Sequence, residues 1–322
     1  MLYFYRIGLS PPSAFLFTLK LAVIFTLTAY VGMGTQASAW GQDIVILKSA
    51  DVGPYNVAAS SFKETLSPEV KILEYDLQGD LAQGRKLGRK IRASPAKLVV
   101  AIGLKATLAA KLEILDIPII SCMVLAPTKY DLTRNNMTGV SLSIPIKNQF
   151  TLIQSLVPGL KRIGVLFDPT KTKHTVQQAK ALASKQGLQL LARPVSSPQD
   201  VPAMLRALLP NIDVLWLIPD STVLTEDSLD FLLSTTLEAR IPILGFSSGL
   251  VRSGVLAGLY INYTKVGEQV AGLAEKLLKG ESIPQGTLLP PEHVSLAINR
   301  QIAQYLGITV PPQLLADAEE VY

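Results

Sequence analysis

Eight short apolar runs between residues 43 and 247, each separated from the next by helical sequence, constrain this chain most. The first four are "DIVILKS" (43–49), "VKILEYDL" (70–77), "KLVVAIG" (97–103) and "PIISCMVL" (118–125). The second four are "RIGVLFD" (162–168), "LQLLARPV" (188–195), "VLWLIPD" (214–220) and "PILGFS" (242–247). They are rich in Val, Ile and Leu and alternate little with polar residues, as strands covered on both faces should be. Helical stretches Tyr55–Leu66, Asp80–Arg92 and Lys105–Leu112 follow the first three runs. Lys173–Gln186, Gln199–Leu209 and Thr225–Ala239 fill the second series. The order β-α-β-α-β-α-β therefore occurs twice. Right-handed crossovers then predict an α/β protein of two Rossmann-like lobes, each a parallel sheet with helices on both faces.

The joint between the two series is "NNMTGVSLSIPIKNQF" (135–150), a polar crossing with Gly and Pro. After residue 250 the chain offers a strand at "GVLAGLYIN" (254–262) and a strong helix, Thr264–Lys279, ended by Gly280. A further strand at "GTLLPPEHV" (286–294) and a helix Ala297–Leu306 follow. Such a tail is longer than either lobe needs, so the chain is expected to recross. The N-terminal lobe is assigned 40–143 plus about 263–287, and the C-terminal lobe 144–262 plus about 288–322.

Residues 1–39 read as a signal peptide. Arg6 and Lys20 precede an apolar run, Leu21 to Gly34, and Ala37-Ser38-Ala39 fits cleavage before Trp40. An uncleaved anchor from Ala14 to Gly34 is the rival reading, although the run after Lys20 is short for a span. No cysteine follows the run, so the chain is not expected to be a lipoprotein. Its single cysteine, Cys122, excludes an intramolecular disulfide and reads as a buried small hydrophobe. A periplasmic location fits best. The formal charge of +5 loses Arg6 and Lys20 on cleavage and is too mild to argue for nucleic acid. At 48% hydrophobic and 17% charged residues, the chain can build sizeable cores and is not disordered.

Ligands of open parallel sheets bind beyond the carboxyl ends of the strands, where helix N-termini present free N–H groups. With two facing sheets that place is the cleft between lobes. The strand ends supply Ser49 and Asp51 with Tyr55, then Gly103, Lys105 and Thr107, then Pro127 and Thr128 from the first lobe. From the second come Asp168 to Thr170, Asp220 and Ser221, and Phe246, Ser247 and Ser248. Asp220 is the most informative. It ends a nearly all-apolar strand and can hold an ammonium or a donor-rich group; the alternative is an Asp that only caps the next helix. Tyr55 and Phe246 offer flat apolar walls or ordinary packing, and Lys105 meets a ligand carboxylate or only water.

"GFSSG" (245–249) matches G-x-S-x-G, the turn that carries a hydrolase nucleophile. Only His293 follows Ser247, and Glu268, Glu275 and Glu281 fall in or just after one solvated helix, so acid and base are poorly supplied. The expected role is a sharp backbone turn at the cleft edge, with Ser247 and Ser248 as ligand or N-cap hydroxyls. No phosphate loop is present, and His174 and His293 have no zinc-like spacing. The basic run "GRKLGRKIR" (84–92) reads as the solvated face of a helix whose Leu81, Leu87 and Ile91 point inward; docking to a membrane partner is the sharper alternative.

Taken together, "NMTGVS" (136–141), "LVPGLKRIGVLFDP" (156–169), "LWLIPDSTV" (215–223), "IPILGF" (241–246), "GEQVAGLAEKLLKGESIP" (267–284) and "AINRQIAQYLGITVPPQLLADAEEV" (297–321) resemble substrate-binding proteins of ABC transporters of the tryptophan/tyrosine-uptake-like type. The resemblance covers most of the chain beyond residue 40. It implies a type I periplasmic-binding-protein-like fold that closes on a small ligand by a hinge, with no catalysis and no cofactor. Asp220, after "LWLIP", is expected to touch the ligand. Ala126-Pro127-Thr128 and Gly103 to Thr107 depart from the family's usual residues, so an aromatic amino acid is only a prior for the ligand. The implied partners are a small molecule and an inner-membrane ABC permease, with the protein a monomer. A periplasmic ligand-sensing subunit for a membrane receptor is the alternative, and a Ser247-dependent hydrolase the third.

Overall fold

Five residues of the first apolar run, Ile44–Lys48, are all buried and form β1, an interior strand of a five-stranded sheet. The computed structural model describes residues 43–125, 130, 132 and 134–322. The expected signal peptide, and Pro127 and Thr128, lie outside the described residues. Around β1 the chain runs α1 (Gly53–Thr65), β2 (Ile72–Asp76), α2 (Leu81–Arg92), β3 (Leu98–Ile102), α3 (Leu104–Glu113), β4 (Ile119–Cys122) and β5 (Met137–Gly139). The strand order is β2-β1-β3-β4-β5, all parallel, with Ile44 level with both Ile72 and Leu98. The β1 and β3 side chains divide between two apolar layers, one under α1 and one under α2 and α3, so neither strand has a polar face.

A second, seven-stranded sheet takes the rest. It is reached through α4 (Ile146–Leu156) and continues with β6 (Arg162–Phe167), α5 (Lys173–Lys185), β7 (Gln189–Pro194), α6 (Val201–Leu208) and β8 (Val214–Trp216). Then come α7 (Glu226–Glu238), β9 (Ile243–Gly245), α8 (Ser248–Arg252) and β10 (Ala257–Tyr260). The chain recrosses as α9 (Tyr263–Leu278), returns to β11 (Ser295–Ile298), and ends in α10 (Arg300–Leu306), α11 (Pro312–Asp317) and β12 (Glu320–Val321). The order is β12-β11-β10-β9-β8-β6-β7. No helix among the described residues is long and apolar enough to cross a membrane.

Three features differ from the sequence expectation. The second sheet is not wholly parallel, because β11 runs antiparallel to β10 with Ala257 opposite Ile298. The late strand lies at Ser295–Ile298 and not at 286–294, where Leu289 makes only an isolated bridge with Val140. Pro290 and Pro291 lack the N–H a ladder requires. The joint is also more ordered than its polarity suggests. It contains β5, whose Gly139 passes so close to the Ser121 carbonyl that a Cβ would overlap it, and the first turn of α4.

The helix α9 returns to the first lobe and lies on α1. Asn262 caps it, accepting from the Thr264 and Lys265 N–H groups at 3.0 and 3.4 Å. Gly267 then faces α1, where a Cβ would stand 2.5 Å from the Ala58 carbonyl oxygen and 2.9 Å from the Phe62 nitrogen. Gly272, on the same helix, has nothing within 4 Å of its Cβ position. Gly267→Ala is expected to destabilise the protein by about 1–3 kcal/mol through forced separation of the helices. Gly272→Ala is expected to be neutral or to stabilise by roughly 0.5–1 kcal/mol. Urea unfolding of both variants checks this contrast, and equal effects would show that the backbone contact is not limiting.

Candidate ligand cleft

A cleft of about 2320 Å³ opens where the carboxyl ends of the second sheet's strands face the first lobe. A small-molecule pocket typically holds roughly 300–1,000 Å³, so the walls stand apart here. Three segments run along or beneath it: 141–147, which enters α4; 260–263, which joins β10 to α9; and Thr287-Leu288 on the return.

The second-lobe wall is built on two carboxylates that hold each other's loops. Asp220 is 2% exposed. Its Oδ2 accepts from the Asp168 N–H at 2.8 Å and from the Thr172 hydroxyl at 2.6 Å. Its Oδ1 accepts from the Thr222 and Val223 N–H groups at 3.0 and 3.4 Å. Asp168 in turn accepts from the Thr170 N–H and hydroxyl and from the Thr222 hydroxyl, all within 2.8 Å. The Thr222 and Thr170 bonds hold the Asp168 carboxyl below its ordinary range. Asp220 borders the cleft, but a carboxylate offers about four acceptor positions, and loop donors take all four. In this structure the carboxylate is a clamp between the β6 and β8 loops, with its oxygens engaged by protein donors at the cleft edge. The clamp also sets out Lys171, whose ammonium donates to the Ser221 and Thr222 hydroxyls at 2.8 and 2.7 Å. Ser221, Lys171 and His174 all line the cleft.

The apolar part of this wall is Ile218, Leu224 and Phe246, with Trp216 behind it. Trp216 is 1% exposed, donates from Nε1 to Gln149 Oε1 at 2.7 Å, and meets Phe150 edge-on at 5.4 Å between ring centres. Ser247 and Ser248 stand beside Phe246. The Ser247 hydroxyl accepts from the Leu250 N–H at 3.2 Å and so caps α8. His293 is paired with an acid instead, its Nε2 2.5 Å from Glu319 Oε1. Ser247 is thus a cap and not a nucleophile.

At the hinge, Tyr260 donates to Glu320 Oε1 at 2.7 Å and stands 3.4 Å from Glu319 Oε2. Glu319 also receives Asn262 at 3.4 Å. Burial, then the two carboxylates, push the Tyr260 phenol far above its usual range. Glu320 is held low by the Tyr322 and Tyr260 hydroxyls. For Glu319, burial pushes the other way, but bonds from His293 and Asn262 help to outweigh it and hold it low. Nothing local in the sequence marked this group, because Tyr260 and the two acids lie sixty residues apart.

Among the described residues, Ser49, Asp51, Tyr55, Gly103, Lys105 and Thr107, expected at the site from the first lobe, are not part of the cleft lining. Ser49 is buried and its hydroxyl accepts from the Ala106 N–H at 2.9 Å, capping α3. Thr107 is fully buried and bonded to the Gly103 carbonyl at 2.8 Å. Gly103, at φ +88°, allows Ser49 and the Tyr55 ring to approach to where a Cβ would lie 2.7 Å from each. Lys105 reaches the Gly79 carbonyl. Asp51 is tied to Asn56 at 2.7 Å and to Lys48 at 3.5 Å. Lys48, which sequence reasoning passed over, is a buried ammonium. Burial would depress it, but Glu74, Asp76 and Asp51 more than offset that and raise it. Cys122 is buried too, and burial pushes its thiol up to about 12. What lines the cleft from this side is a set of apolar residues, Val57, Leu125, Leu132, Leu142 and Ile144, with Ser141 and Ser143 among them.

Asp220→Ala is expected to strand buried N–H groups and cost about 2–4 kcal/mol of stability, where a ligand-only role predicts an unchanged fold. Urea unfolding decides it: an unaltered midpoint would return the carboxylate to the ligand.

Residues 60–322 match the family described as ABC transporter substrate binding protein. A tyrosine-binding protein of Clostridioides difficile (strain R20291) is 26% identical over 247 residues, 74% of this chain and 71% of that protein. The ligand-free, open structure of a substrate-binding protein with adhesive properties from Clostridium difficile superposes with a TM-score of 0.76. It is 24% identical and covers 86% of this chain and 98% of its own. A Streptococcus pneumonia ABC domain in complex with L-Trp gives a TM-score of 0.61 at 24% identity, over 88% of this chain and all of that one. These structural likenesses concern the fold.

Proposed function

The chain belongs to the ABC transporter substrate-binding protein family, and on that premise we propose that it is the periplasmic solute-binding component of an ABC importer, closing its lobes on an amino acid with an aromatic side chain. Members of the family bind small ligands and work with membrane permeases; they are not enzymes. In this reading residues 1–39 are removed on export, and the mature chain is a monomer that delivers its ligand to an inner-membrane permease.

The single observation that carries the reading is the composition of the cleft. Apolar patches stand on both walls among polar residues, and groups of opposite charge stand at two places in it. One is the hinge, where Glu319 and Glu320 concentrate negative charge beside Tyr260. The other is the start of α5, where Lys171 and Ser221 meet the first N–H groups of a thirteen-residue helix, a favourable place for an anion. An α-amino acid presents a cation, an anion and a side chain at matching points. The ammonium faces the hinge acids, the carboxylate faces Lys171 and Ser221, and the ring lies on Phe246 and Ile218. The names of the relatives, one tyrosine-binding and one in complex with L-Trp, agree with this class of ligand.

Such a ligand spans far less than 2320 Å³. It touches both walls only when the lobes come together, and these extra contacts are the whole driving force for closure.

Isothermal titration of the purified protein with L-tyrosine and L-tryptophan tests the reading. One-site, saturable binding is expected, and Phe246→Ala should weaken it by roughly tenfold through lost apolar contact. Phenol and indole, which lack both charged groups, should bind far more weakly. An absence of binding by any amino acid would overturn the proposal.

A further inference from the structure

Three stretches of chain join the lobes, and each changes partners over a short distance. Leu142 packs with the first-lobe layer of Phe62 and Val270, and Ile146 with the second-lobe layer of Phe150 and Trp216. Tyr260 packs with the second lobe, and Ile261, the next residue, with the first. Leu289 packs with the first lobe and Leu296 with the second. Residues packed into a core move with it. Rotation of one lobe against the other is therefore taken up within 143–145, at the Tyr260–Ile261 junction and within 290–295.

The first of these joints is tied to the floor of the cleft by one side chain. Gln149, near the start of α4, donates from Nε2 back to the Ile144 carbonyl at 3.1 Å. Its Oε1 accepts from the Trp216 indole N–H at 2.7 Å. Both Gln149 and Trp216 border the cleft. A buried indole N–H requires an acceptor, and a primary amide supplies one while keeping a donor for the crossing. From the other side the first lobe holds the crossing through Ser141, whose N–H donates to the Leu289 carbonyl at 2.9 Å. The Ser141 hydroxyl in turn accepts from the Ser143 N–H at 3.0 Å. The two grips thus meet at Ser143 and Ile144, and the bend of this crossing is confined to the link between them.

We infer that Gln149 is a positioning residue for ligand binding, an inference that rests on the reading of the cleft as an amino-acid site that closes. Gln149 keys the first crossing to the cleft floor, so that the Trp216 indole and the pivot move as one piece. A ligand seated against Ile218 and Phe246, with Trp216 behind them, then meets the first-lobe wall at one defined closure angle. Without the tie the crossing bends over several residues. Part of the contact energy is then spent on ordering it, and affinity falls although Gln149 need not touch the ligand.

A double-mutant cycle read by isothermal titration with L-tyrosine tests this. Gln149→Met keeps the length of the side chain and removes both bonds; affinity should fall by about tenfold, the size of one lost buried hydrogen bond. Trp216→Phe removes the indole N–H and should also weaken binding. Because the two residues act as one device, Gln149→Met/Trp216→Phe should lose about as much as the larger single loss. Losses that add would mean that Gln149 touches the ligand by itself, and would overturn the inference. Ile212→Val separates binding from stability. Ile212 is buried in the second lobe away from the cleft lining, and this change costs about 0.5–1.5 kcal/mol of stability. It should lower the melting temperature and leave affinity unchanged; an equal loss of affinity there would reduce Gln149 to a general stabiliser of the lobe. Circular dichroism melting verifies folding. If Gln149→Met is unfolded, Gln149→Asn, too short to reach both partners, replaces it with the same expectation. Unchanged affinity in a folded Gln149 variant, with the wild type binding, overturns the inference alone. A wild type that binds no amino acid overturns the reading of the cleft, and this inference with it.

Discussion

The close approach of α9 to α1 is the contact on which the cleft depends. After β10 the chain must leave the second sheet, start a helix and lay it across the first lobe. Asn262 starts the helix, and Gly267 lets its backbone meet that of α1 at Ala58 and Phe62. Val266, Val270, Ala271 and Ala274 then join the same apolar layer as Phe62, Ile44 and Val100. The segment 260–263 is thereby fixed at both ends, by β10 on one side and by a buried helix on the other. This segment carries Tyr260 and Asn262, so the hinge and its acidic group inherit their position from a packing contact far from any ligand.

The cleft divides its polar residues between holding and receiving. Asp168, Asp220 and Thr222 are consumed by one another, and their product is rigidity: two loops fifty residues apart in sequence move as one. Lys171 and Ser221 are presented on that rigid base. A wall preorganised in this way spends little of a ligand's binding energy on ordering side chains. Lobe closure remains the main rearrangement left for the ligand to drive.

Much of the architecture was legible because it follows from burial. Strands covered on both faces must be apolar throughout, so β1, β3, β6 and β9 stood out as short unbroken runs. Their parallel order followed from the intervening helices. The antiparallel return of β11 was not legible, because its four residues follow two prolines and show no period of their own. The site was harder. Asp220 was rightly singled out as an unusual acid at the end of an apolar strand. Its role, however, depends on Asp168 and Thr172, which no local pattern connects to it. Ser49 and Thr107 sit at strand and helix ends as expected, yet turn inward to satisfy backbone groups. Glu319 and Glu320 escaped notice because a carboxylate pair near a chain end looks like solvated surface until β12 joins the sheet beside β11.

Ligand-driven closure is the central claim, and small-angle X-ray scattering of the protein with and without saturating L-tyrosine or L-tryptophan tests it most directly. The account predicts a smaller radius of gyration and a shorter maximum dimension once the ligand is bound. Identical scattering curves, with calorimetry showing the site filled, would mean that the ligand binds one wall without closing the lobes, and would contradict it.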